Sequence, residues 1–117
     1  MPKKFLIEWL QLALEKIDKE NFGFLPFLGD RVEVLTDIFP DEFWSKELVF
    51  ISVVLHIAGA TMKGHYDDFT DKQKEEIKNS FKIYIKTLSD GIANEDKDTI
   101  RNSLRDICYK IYEVHKE

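Results

Sequence analysis

Apolar residues recur along this chain with the 3.6-residue period of helices, and the spacing predicts five helical segments. Over about residues 3–20, Phe5, Leu6, Trp9, Leu10, Leu12, Ala13 and Ile17 form a broad apolar face, while Glu8, Gln11, Glu15 and Asp18 form a narrow polar stripe. Asn21 and Gly23 can take the left-handed backbone that ends a helix, and Pro26 opposes its continuation. Asp30, with Glu33 three residues on, has the chemistry of a helix start, so a short helix should run from there to about Phe39 and stop before Pro40. A third segment begins near Asp41 or Ser45 and ends at Gly64. The fourth opens on a capping box, Thr70 to Gln73, shows Ile77, Phe81, Tyr84, Ile85 and Leu88 on one face, and stops at Gly91. The fifth starts around Asn94, where Glu95, Asp96 and Asp98 suit the positive helix end, and points Ile100, Leu104, Ile107, Cys108, Ile111 and His115 inward.

The third segment departs from the two-faced pattern. Leu48 to Ala60 is apolar around nearly its whole circumference, which predicts a helix with other helices on every side. The run falls short of the ~18 apolar residues that would span a bilayer, and Glu47 and Lys63 close it at both ends. The fold expected is therefore all-α: a single compact bundle of about five helices around a buried central rod at 45–63, enclosed by the first, fourth and fifth helices. With no repeat, linker or low-complexity tract, residues 1–117 read as one domain.

Composition agrees and narrows the setting. At 117 residues the chain can bury a true core, and 44% hydrophobic with 33% charged residues is neither disordered nor membrane-embedded. A single cysteine, Cys108, makes no internal disulfide, and Glu8 and Gln11 interrupt the apolar stretch after Lys3 and Lys4 that would otherwise resemble a secretory leader. A cytoplasmic location is the expectation. Net charge is -5, which disfavours nucleic acid as a partner, but the sign is segregated. Asp30, Glu33, Asp37, Asp41 and Glu42 outweigh Arg31 over residues 24–42, whereas residues 77–89 hold Lys78, Lys82 and Lys86 as a cationic block. Such opposed patches suit self-association or a charged partner.

Candidate chemistry is sparse. Ser45, Val49, Ser52, His56, Gly59 and Lys63 lie on one stripe of the third helix, so Ser52, His56 and Gly59 could line a ligand pocket around a desolvated, neutral imidazole. The alternative is structural: Ser52 bonds a carbonyl on its own helix, and Gly59 with Ala60 admits another helix. His65, Asp67 and Asp68 gather possible metal ligands in the turn before the fourth helix, but without the spacing of an EF-hand or a two-histidine helix motif. Lys74, Lys78, Lys82 and Lys86 form a ridge that could meet phosphates, yet no arginine, phosphate loop or helix-turn-helix accompanies it. Cys108 reads as a packed small hydrophobe rather than a nucleophile. No catalytic residue, metal site or cofactor is indicated.

The segment Asn21 to Gly29 holds three phenylalanines and two leucines, a composition that loops carry only when covered. Phe22, Phe24, Leu25, Phe27 and Leu28 either fold back as a lid or present anchors to another chain. The function expected is a small cytoplasmic protein-protein interaction module, self-associating and without catalysis, whose contact surface includes this segment and part of the first helix. Asp37, Asp41, Glu42 and the lysine ridge would orient it. A metal- or ligand-binding role for His56 with His65, Asp67 and Asp68, and nucleic-acid contact through the lysine ridge, are the alternatives.

Overall fold

A computed structural model describes the backbone of residues 2–38 and 42–116, with side chains at 3–38 and 46–114. The expected stop at Phe39 and Pro40, and the side chains of Asp41, Glu42, Trp44, Ser45 and His115, lie outside the described residues. Among those described, the helices are α1 (Pro2–Asp18), α2 (Phe24–Ile38), α3 (Glu42–His65), α4 (Asp71–Ala93) and α5 (Lys97–Lys116), with a 3-10 turn at Tyr66–Asp68 and no strand. The chain is an all-α bundle.

Local chemistry fixes most of the helix ends. Thr70 caps α4 as its sequence implies, its hydroxyl accepting from Gln73 N at 3.2 Å while Gln73 Oε1 accepts from Thr70 N at 2.9 Å. Asp96, not Asn94, starts α5: its carboxylate accepts from the backbone N–H of Asp98 and Thr99 and from the Thr99 hydroxyl, and these bonds hold its pKa below the ordinary value, the Thr99 hydroxyl contributing most. The left-handed residues that end α1 and α4 are glutamates, Glu20 (φ 64) and Glu95 (φ 53), rather than Asn21, Gly23 or Gly91. Both ends close with the same paired bonds, Asn21 N to Lys16 O and Glu20 N to Ile17 O in α1, Asp96 N to Gly91 O and Glu95 N to Ile92 O in α4. Gly91 sits inside α4 for a different reason. A Cβ there would lie 3.0 Å from Thr99 Cγ2 and 3.1 Å from Ile100 N, so the glycine lets the α4–α5 hairpin close.

The aromatic segment is helical where a loop was expected. α2 begins at Phe24, and Pro26 is its third residue, in the first turn, where a missing N–H removes no helical bond. The helix therefore starts six residues before Asp30.

Principal contacts run from α1 to α2, α2 to α3, α3 to α5, α5 to α4 and α4 back to α1. The five helices are thus staves around a shared core. Leu10 and Ile17 of α1, Leu25 and Leu28 of α2, Phe81 and Ile85 of α4, and Ile100 and Ile107 of α5 all point into it. α3 contributes Leu48, Ile51, Leu55, Ala58 and Met62, each fully buried. Its principal neighbours are α2 and α5, however, so of the expected α1, α4 and α5 only α5 lies against it. A stave has an inside and an outside, and the outside of α3 is open: Val49, Phe50, Val53 and Ile57 are 48%, 42%, 50% and 47% exposed. Within Lys46–Asp68 the mean hydropathy reaches 1.4, so by length and composition this helix could also cross a membrane.

Candidate interaction surface

Of the five residues expected to bind a partner, three are core. Phe22 (2%), Leu25 (0%) and Leu28 (1%) are buried, which removes them from any surface. Phe22 is a hub. Its ring lies 5.0 Å from Tyr66 and 5.5 Å from Phe81 in edge geometry, tying the α1–α2 turn to α4 and to the 3-10 turn. Phe24 is half-buried, and Phe27 remains half-exposed with the Arg31 guanidinium 4.5 Å from its ring centroid. The helical period explains the split: 25, 28 and 32 face inward, and 27, 31, 34 and 38 face outward. Of those outward residues, Arg31, Val34 and Ile38 border an apolar groove of about 460 Å³ between α1 and α2, with Phe5 and Trp9 on its other wall, while Phe27 lines a separate cleft with Leu12 and Lys16.

The Ser52, His56 and Gly59 stripe lies at the crossing of α2 over α3. Ser52 is buried and its hydroxyl donates to Gly29 O at 2.8 Å, a bond between helices where one within α3 was expected. A Cβ on Gly29 would sit 2.7 Å from Ser52 O, and one on Gly59 would run into Pro26 and Leu25. The two glycines therefore let the backbones meet, with α2 antiparallel to α3. His56 escapes to the edge of this crossing. Its side chain is 52% exposed, with Nδ1 3.4 Å from Asp30 Oδ1, so the imidazole is not desolvated. With Ser52, Asp30, Glu33, Val53 and Ile57, it lines an open depression of about 280 Å³.

The other candidates are spread out and locally paired. His65 lies nine residues from His56, roughly 13 Å along the helix by its rise. Its Nδ1 is 3.8 Å from Asp68, while Asp67 reaches toward Lys74 at 3.9 Å. No three His, Cys, Asp or Glu side chains converge as metal ligands among the described residues. On the lysine ridge, Lys74 also lies 5.4 Å from the Tyr66 ring centroid, Lys78 pairs with Glu75 at 3.2 Å, and Lys82 donates to Asp18 Oδ1 at 2.8 Å. That last bond pulls the Asp18 carboxyl below its ordinary pKa. The ridge is largely spent on neighbouring carboxylates. Cys108 is exposed rather than on the inner face, and partial burial pushes its thiol pKa up, which weakens it as a nucleophile.

Set against protein families, curated proteins and solved structures, the chain matches none of them.

Two features escaped the sequence pattern. Glu47, which reads as a polar boundary of the apolar run, is fully buried; Arg101 NH2 is 3.7 Å from its Oε1, and neither carboxylate oxygen has a hydrogen-bond partner among the described residues. The same guanidinium lies 5.8 Å from the Phe50 ring centroid. The second feature is the open face of α3 itself. Phe50, Val53, Ile57 and Ala60 are spaced by three, then four, then three residues, the heptad rhythm of a helix that meets another helix. Asp30 and Glu33 of α2 border it on one side, and Arg101 of α5 on the other.

Proposed function

We propose that this protein is a small helical interaction module that associates with itself in the cytoplasm and has no reaction of its own. The observation that carries the reading is the run of half-exposed apolar side chains on successive turns of α3, Val49, Phe50, Val53 and Ile57. Single exposed hydrophobes are common on monomers, but a continuous stripe with charged borders is the composition of a contact surface. The α1–α2 groove, with Phe5, Trp9, Val34 and Ile38, adds a second apolar surface that includes part of α1. The alternatives draw less support: His56 has solvent and one carboxylate around it, and the lysines already face acids.

Sedimentation equilibrium of the purified chain tests this reading. Its apparent mass should rise above that of one 13.8 kDa copy with concentration. A mass fixed at one copy up to about millimolar concentration, where even weak association registers, contradicts it.

A further inference from the structure

We propose that the outer face of α3 binds the same face of a second copy, with the two α3 helices parallel about a two-fold axis that runs along them. This rests on the self-association reading above and assigns it a surface, a partner and an orientation.

The two borders of the stripe carry opposite charge. Gly59 lies under Leu25 and Pro26, Gly29 under Ser52 and His56, and Glu33 lines the depression beside Val53, so rising numbers in α2 meet falling numbers in α3. Glu33 is thus level with Val53, and Asp37, one turn on, is level with Val49 and Phe50. On the other side Arg101 sits by Glu47 and Phe50, and α5 ends beside Phe69, just past the far end of α3, so it runs parallel to α3. Arg105, one turn beyond Arg101, is then level with Val53. The α2 border carries Asp30, Glu33 and Asp37, all exposed; the α5 border carries Arg101 and Arg105, also exposed.

Two ways of pairing such a face with itself differ in what the borders meet. With the axis across α3, the helices are antiparallel and each border meets its own kind, acid on acid and arginine on arginine. With the axis along α3, the helices are parallel and the acidic border of each copy faces the basic border of the other. Levels then match: Asp37 opposes Arg101 of the second copy, and Glu33 opposes Arg105 of the second copy. Opposite charges at the rim set orientation, and like charges penalise the alternative. Between the rims, Phe50, Val53 and Ile57 meet their own counterparts, as residues of a parallel seam do. Both members of each pair lie in one chain, so no other partner is needed to complete the match.

Charge reversal tests this on the full chain by sedimentation equilibrium, with circular dichroism to confirm folding. Glu33→Lys and Arg105→Glu should each weaken self-association by at least ~10-fold, because each homodimer then sets like charges together twice. An equimolar mixture of the two variants should associate about as tightly as the wild type, since both cross pairs become attractive again. If the chain associates but neither reversal weakens it, or the mixture fails to rescue, this arrangement is wrong while self-association stands. If the wild type stays monomeric, both proposals fall, and binding of that monomer to lipid vesicles would assign the α3 stripe to a membrane instead.

Discussion

α3 and α4 are staves of one bundle and nearly equal in length, at 24 and 23 residues, yet only α4 distinguishes inside from outside. α4 buries Ile77, Phe81, Ile85 and Leu88 and turns lysines, acids and Thr87 outward; its one large exposed hydrophobe, Ile83, stands alone. α3 buries an equally regular row and then repeats apolar residues on the opposite side. The difference separates two demands on a helix. Folding the monomer asks for one apolar face, and the proposed self-association would account for the second.

The largest expected effect lies on the inner row. Leu55→Ala should cost about 3 kcal/mol in urea unfolding, as buried leucine truncations do, whereas Val53→Ser, one face away, should change monomer stability by less than about 1 kcal/mol. Equal costs would erase the distinction between the faces of α3. Next comes the buried carboxylate. Arg101→Ala removes the cation nearest Glu47 and should cost about 2 kcal/mol, while Glu47→Met in the same assay should be neutral or stabilising, because it removes a desolvated charge.

A smaller effect marks the turn joining the two helices. Tyr66 donates its hydroxyl to Lys74 O at 3.4 Å, and burial first, then the Glu20 carboxylate, push its pKa up to about 12. Unfolded tyrosine titrates near 10, so between about pH 10 and 12 the unfolded chain holds fewer protons than the folded one, and stability must fall as pH rises. The loss should be on the order of 1–2 kcal/mol and should vanish in Tyr66→Phe, read as denaturant midpoints across that range. The smallest effect is a gain at the end of α4. Glu95→Gly should stabilise by about 0.5–1 kcal/mol by relieving a left-handed glutamate, visible as a modest rise in Tm.

The two helices also show what was legible in the sequence. α4 was readable because its period, its Thr70 cap and its inner row agree, and only its end slipped, from Gly91 to Ala93. α3 was readable as a helix and misread in its surroundings. An all-apolar circumference says that a helix needs contacts on every side, but not whether those contacts come from its own chain. The same ambiguity hid Glu47, whose single charge beside an apolar run looks like an exposed boundary until α5 closes over it. The α2 start is hidden because a proline reads as a helix breaker, although in a first turn Pro26 removes no helical bond. Of the candidate surface, Phe27 could be found from composition alone, whereas the α3 stripe required knowing which of two equally apolar faces the core had taken.

Oxidative cross-linking of Ile57→Cys in a Cys108→Ser background reads the α3 pairing itself. A parallel pair of α3 helices places residue 57 of one copy against residue 57 of the other, within the reach of a disulfide. This variant alone should form a covalent dimer under mild oxidant, as should Phe50→Cys. Failure of both to cross-link, or a dimer that forms only when the two variants are mixed, would contradict the parallel pairing.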